Sequence, residues 1–324
     1  SEFKAALGAT YDLPWGDVVM DVDYLYSKQQ DAAIYVSTSQ SITGRTILGQ
    51  PIYSDTIGSG NYMLTNASQN GSAHSLSASF QKDFDWGLEL MVGYAYTAAE
   101  DVNPMTSSVA FSNFSNVATT DINNPGLADS NYVVPHRVTM RATYAREFLD
   151  GLTTRATIYG YASEGQPQSY AFDIEDGLED GRSRRQLLYV PTGPSDPNVV
   201  FGPNFDQTAF FNFVGSEGLE QGFNRNNNNA KWSYRMDFRF DQELPTFVDG
   251  VSGHAFLKIY NLTNFLNDDW GQANDAQFFS LDVVDASIDA QGRYVFDNFS
   301  PRDITDLNES QSLWEVRFGL EFKL

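Results

Sequence analysis

The chain has 324 residues, no cysteine, 41% hydrophobic and 14% aromatic residues, and a formal net charge of −22. That acidity, a pI near 4.3, argues against a nucleic-acid partner, which needs a basic face. The missing cysteines exclude disulfides and thiolate chemistry, and no apolar run approaches the ~18 residues of a spanning helix. A mean hydropathy of −0.36 beside so many aromatics requires apolar residues that are patterned, not massed.

The pattern is alternation, and it recurs along the chain. Phe3, Leu7 and Tyr11 oppose Lys4, Gly8 and Thr10. Val18, Met20, Val22, Tyr24 and Tyr26 alternate with positions that include Asp21, Asp23 and Ser27. Leu76, Ala78 and Phe80 face away from Ser75, Ser77, Ser79 and Gln81; Leu88, Leu90, Val92, Tyr94 and Tyr96 from Glu89, Gly93 and Thr97. Val138, Met140, Ala142 and Tyr144 oppose Arg137, Thr139, Arg141 and Thr143. Noisier strands follow near 152–163 and 253–264, on either side of a clear one in which Trp232, Tyr234, Met236, Phe238 and Phe240 alternate with Ser233, Arg235, Asp237, Arg239 and Asp241. The last segment puts Trp314, Val316, Phe318, Leu320, Phe322 and Leu324 on one side and Glu315, Arg317, Glu321 and Lys323 on the other. Successive side chains of a strand point to opposite faces, so each segment has one apolar and one polar face.

These are nine strands, mostly of about nine to eleven residues, the length a tilted strand needs to cross a bilayer. Short turns near 12–17, 84–87, 149–151 and 244–252 alternate with long polar connections near 29–73, 99–135, 164–231 and 265–312. A soluble sandwich spaces its turns evenly on both sides and keeps charge out of mid-strand. Unequal connections and charged mid-strand positions instead predict an all-β fold, a transmembrane antiparallel β-barrel of outer-membrane type with a wet interior. Trp15, Trp86, Phe148 and Phe240 near the short turns, and Tyr24, Tyr26, Tyr94 and Tyr96 near the long connections, fit two interfacial aromatic belts. Single-chain bacterial barrels have an even number of strands, and nine is odd, so residues 1–324 are expected to be the C-terminal portion of a longer barrel domain. A tenth strand around 186–191 is the alternative.

Chemistry-bearing residues are sparse. His74, His136 and His254 have no nucleophile with an orienting acid, so no enzyme is expected. Asp173, Glu175, Asp176, Glu179 and Asp180 form an oxygen-rich stretch for which calcium is the one cofactor worth considering; the spacing is not that of an EF-hand, and a solvated acidic loop is the plainer reading. Arg235, Asp237 and Arg239 share a polar face, with Arg141 and Arg155 on neighbouring strands; in a barrel they project inward, to pair, to hold a plug or to meet a ligand. The run Arg225-Asn226-Asn227-Asn228-Asn229 reads as a flexible or turn-forming loop. The four long connections carry −1, −4, −5 and −8 of the net −22. The strand wall is thus nearly balanced, beneath an acidic crown suited to a cationic or calcium-bridged ligand.

Four segments resemble a family. They are FKAALGATYDLPWG at 3–16, Val134-Pro135-His136-Arg137 where a long connection re-enters a strand, LLYVPTGPSDPNVVF at 187–201, and Asn261-Leu262-Thr263-Asn264 before the terminal aromatic strand. Together the chain resembles the C-terminal barrel half of TonB-dependent outer-membrane receptors of the Oar-like branch. The resemblance implies the last nine strands of a 22-stranded barrel, an N-terminal plug and TonB box outside this sequence, and partners in outer-membrane lipid, lipopolysaccharide and the TonB complex. It implies uptake of a ligand across the outer membrane of a Gram-negative bacterium. A passive porin, or a surface adhesin or structural barrel, is the alternative that the same pattern allows.

Overall fold

Each of the nine alternating segments forms a strand, and the nine pair in chain order, all antiparallel. They are β1 (Glu2–Leu13), β2 (Val18–Gln29), β3 (Ser72–Asp83), β4 (Leu88–Asp101), β5 (His136–Leu149), β6 (Leu152–Ser163), β7 (Ser233–Leu244), β8 (Ser252–Tyr260) and β9 (Glu315–Lys323). The computed structural model describes residues 1–54, 60–149, 151–176, 185–246 and 250–323. Strand accounts for 54% of the chain, and the fold is all-β. Among the described residues β1 and β9 are the free edges, so the sheet is open and is not a closed barrel. The segment around 186–191 adds no tenth strand to it: Tyr189–Val190 pairs with Gly222–Phe223 instead.

Register explains what the alternation does. Residues directly opposite each other share a face. Tyr11, Met20, Phe80, Val92 and Met140 therefore stand in one row, which runs on through Gly160 to Met236. A parallel row runs through Leu90, Ala142, Ile158, Phe238, Ile259 and Val316. The opposite face carries Asp21, Ser79, Gly93, Thr139, Tyr161 and Arg235 in a single row. The apolar face is uncovered: Leu7 is 75% and Phe318 85% exposed. No buried hydrophobic residue of the described chain lies in β1–β9.

The buried core is in the long connections. A four-stranded mixed sheet, in the order Tyr170–Asp176, Leu281–Ile288, Tyr294–Phe299, Val199–Phe201, joins the third connection to the fourth. Phe172, Leu281, Val284, Tyr294 and Phe296 pack at its centre. The helix Gln207–Ser216 covers it with Phe210 and Phe213, and Asp206 caps that helix by accepting the Ala209 N–H at 2.9 Å. The connections are therefore a folded head at one end of the sheet, and the expectation of a merely polar crown is corrected.

The short turns are built differently. Each contains a glycine with positive φ: Gly16, Gly87, Gly151 and Gly250, at 74°, 98°, 71° and 83°. Left-handed backbone reverses the chain tightly without a Cβ clash. The expected strand 253–264 ends early, at Tyr260, because Asn261 turns left-handed (φ 52°) and starts the helical turn Leu262–Leu266. Asn261 is wholly buried, and its amide donates to the carbonyls of Gly271 at 2.8 Å and Ser312 at 2.6 Å. The Asn-Leu-Thr-Asn segment is thus a clamp that ties the exit of β8 to both ends of the fourth connection.

Two of the turn glycines should respond differently to substitution. A Cβ on Gly87 would run into the Ala145 carbonyl oxygen, whereas one on Gly151 would meet nothing within 4 Å. Gly151→Ala should cost only the left-handed penalty, about 1–2 kcal/mol. Gly87→Ala should cost clearly more in urea unfolding, and equal costs would contradict the β4–β5 packing.

Candidate functional site

The polar face of the sheet gathers the five expected charges. Arg141, Tyr159 and Asp237 lie in one row, and Arg155 stands directly opposite Asp241. Arg235 Nε is 2.8 Å from Asp237 Oδ1, which also accepts the Asn261 N–H at 2.7 Å. Arg239 chelates Asp241, with Nε 2.8 and 2.7 Å from its two oxygens, and reaches Glu321 at 3.7 Å. Pairing thus satisfies the β7 cluster within its own strand. Arg141 and Arg155 are exposed and have no ion-pair partner among the described residues. Sequence reasoning placed all five on one face but could not separate the paired from the unpaired, because pairing depends on rotamers.

In the head, the calcium candidates divide. Asp173 lies opposite Asp285 in the parallel pairing of Tyr170–Asp176 with Leu281–Ile288. Burial, together with the charges of Asp282 and Asp285, raises the Asp173 carboxyl above the usual aspartate range, and Arg302 offsets part of this. Arg302 binds Asp282 at 2.8 Å. Glu175 and Asp176 continue the same strand. Glu179 and Asp180 lie outside the described residues. Among the described residues no group of three or more His, Asp or Glu is arranged to hold a metal ion.

Two polar centres in the head went unread in the sequence. The run at 225–229 does turn, with Asn226 left-handed at φ 57°, but Arg225 is anchored: Nη1 donates to the carbonyls of Val102 at 2.8 Å and Gly126 at 3.0 Å, and Nη2 donates to the carbonyl of Asp101. Burial lowers its guanidinium pKa, while Asp101 and Asp129 oppose the shift. Beside it, buried Asn226 donates to the Asp129 carbonyl at 2.6 Å and accepts the Ser169 hydroxyl at 2.7 Å. The segment therefore ties the second connection to the third. Asp196 is the other centre. It accepts the N–H groups of Thr192 at 2.8 Å and Asn198 at 2.9 Å and the Tyr189 hydroxyl at 3.0 Å. These bonds hold together the 187–201 segment.

Two of the three histidines have tyrosine partners. Tyr24 Oη lies 2.7 Å from His74 Nδ1, and Tyr94 Oη lies 2.7 Å from His136 Nδ1. Both pairs sit on the apolar face at the head end, and His136 stacks on Trp232 with ring centroids 6.4 Å apart. His136 Nε2 is 3.9 Å from Glu164.

With this geometry in hand, comparison with known proteins finds no matching family model, no matching curated sequence and no matching solved structure.

Asp196 makes the head's stability pH-dependent. Burial penalises its charge, but the donors from Thr192, Asn198 and Tyr189 outweigh that penalty and hold the carboxyl below the ordinary value of 3.8. A depressed folded-state pKa stabilises above the unfolded value, and the gain is lost as pH falls through the folded one. Head unfolding followed by near-UV circular dichroism should be flat around neutrality and weaken below about pH 4. Asp196→Asn should cost about 1–3 kcal/mol near neutrality and reduce that acid dependence; an unchanged acid limb would refute the assignment.

Proposed function

We propose that the chain is the C-terminal nine strands of a 22-stranded outer-membrane barrel, a TonB-dependent receptor of Oar-like type. It takes up an unidentified ligand captured by the acidic head. One observation carries this reading: a continuous apolar face over nine strands is left uncovered while the molecule's buried core lies elsewhere. Strands of 9 to 14 residues are long enough to cross the hydrocarbon layer when tilted. Outer-membrane lipid and lipopolysaccharide would cover the apolar face. A plug preceding these residues would meet the polar face, where Arg141 and Arg155 offer unpaired cations to its carboxylates, and the TonB complex would act through that plug.

The folded head also favours a second reading, a passive porin or a surface adhesin, since a rigid, acidic head can bind without transport. Energy dependence separates the two. In cells making the full-length protein, collapsing the inner-membrane proton gradient should abolish ligand accumulation if uptake is TonB-dependent. Persistent accumulation, or steady open-channel current in a planar bilayer, would favour the passive reading.

Placement in the membrane has its own test. Met140→Arg puts a charge on the apolar face in mid-strand, at a cost of about 2–4 kcal/mol if lipid lies there. Thr139→Arg puts the same charge on the polar face. Met140→Arg should deplete the protein from the outer-membrane fraction and Thr139→Arg should not; equal behaviour would sink the reading.

A further inference from the structure

We infer that a recess in the head binds a neutral, polyhydroxylated ring, the pyranose of a saccharide. The recess lies between the second connection and Phe278-Phe279 of the fourth. It rests on the proposed function only in taking the head as the ligand-facing end. Its chemistry differs from that of its surroundings. In a chain of net charge −22, no Asp, Glu, Lys, Arg or His lines it.

Its frame is rigid. Asn113 accepts the Ser107 N–H at 2.8 Å and donates to the Ser107 carbonyl at 2.7 Å, and Asn103 donates to the Asn113 carbonyl at 2.7 Å. Those amides each spend one hydrogen on the frame. Asn131 spends its amide N–H on Asn226 at 3.2 Å and keeps its carbonyl oxygen. Asn116 receives only a long 3.5 Å contact from Ser115 on its oxygen, so both its amide hydrogens are available. The hydroxyls of Ser112 and of the Thr106–Tyr132 pair, 3.1 Å apart, complete a set able to donate and accept. Two aromatic rings form the rim, Phe278 at 61% and Tyr132 at 48% exposure.

A neutral hydroxylated ring matches that set. A cation would need carboxylates, and an anion would need a guanidinium or ammonium group. A purely apolar ligand would leave the amides and hydroxyls unpaired, at about 1–3 kcal/mol each. A sugar ring presents hydroxyls that both donate and accept, and an apolar C–H face for Phe278 or Tyr132. Size sets the pose. The enclosed part is about 50 Å³, too small to swallow a ring whole. The ring therefore rests in the mouth against the aromatic rim, and longer saccharides can continue across the head. The net acidity of the head governs what approaches; this recess governs what is held.

The test uses the full-length protein folded in a zwitterionic detergent without a sugar headgroup. The probes are methyl pyranosides of glucose, galactose, mannose and N-acetylglucosamine and their neutral oligomers, read by saturation-transfer NMR and calorimetry. At least one should bind saturably. Phe278→Ala should weaken it about tenfold or more, since a buried aromatic contact is lost. Asn116→Asp, which removes both amide hydrogens with little change in shape, should weaken it as well, and added salt should leave wild-type binding unchanged. Heat-modifiable gel mobility checks that each variant is folded. The inference is overturned if no probe saturates, if both variants bind like wild type, if salt weakens binding, or if neutral peptides bind and saccharides do not. A chain that enters the membrane with the expected face polarity but binds no saccharide would leave the receptor reading intact and defeat this inference alone.

Discussion

Tyr11, Met20, Phe80, Val92 and Met140 stand side by side across five strands, and none of the described residues buries them. Soluble monomers rarely expose a contiguous apolar patch above a few hundred Å², because each Å² left in water forgoes about 25 cal/mol. A nine-stranded apolar face far exceeds that limit. The other face of the same strands carries Asp, Ser, Thr and Arg. On the proposed reading such a sheet meets two different solvents, lipid on one face and water on the other. This requirement shapes the strand lengths, the tight glycine turns at one end and the banishment of the protein core to the other.

The head follows from that division. Strands that leave their apolar face uncovered do not build a core of their own. The residues that do so lie in the connections: Phe172, Phe210, Tyr294 and Phe296. Conformational entropy opposes ordering connections of this length, and buried polar ties at their junctions help to offset it. Asn261 clamps the fourth connection, and Arg225 with Asn226 joins the second to the third. The head is thereby rigid enough to present a shaped, uncharged recess within an acidic surface. A rigid site loses less freedom on binding than a floppy loop would.

The sheet was legible because its signal is local. A period of two in Val138, Met140, Ala142 and Tyr144 needs no partner to be seen, and the alternation of short and long connections ordered the strands. Trp232 and Asn261 show the limit of that reading: alternation overran the strand at both places, because capping contacts rather than periodicity end it. The head was not legible for a different reason. Ala171 and Asp282 pair in parallel across more than a hundred residues, and nothing in either segment names the other. Arg225-Asn226-Asn227-Asn228-Asn229 looked like low complexity, yet the Arg225 side chain and buried Asn226 are anchors. A signal was available in Phe210, Phe211 and Phe213, and in the runs at 281–288 and 294–299, which are too apolar for solvated loops. On the polar face the sequence placed Arg141, Arg155, Arg235, Asp237 and Arg239 together. Which of them were paired depended on geometry that only the structure supplies.

The absence of cysteine allows a clean probe of the two-solvent requirement. Single cysteines placed in turn at positions 138 to 143 of β5, spin-labelled and measured in outer-membrane vesicles, report contact with oxygen, which partitions into lipid, or with a water-soluble nickel chelate. Positions 138, 140 and 142 should favour oxygen and positions 139, 141 and 143 the chelate, with a period of two. Uniform access to the chelate along the whole strand would contradict the account, because it would show the apolar face standing in water.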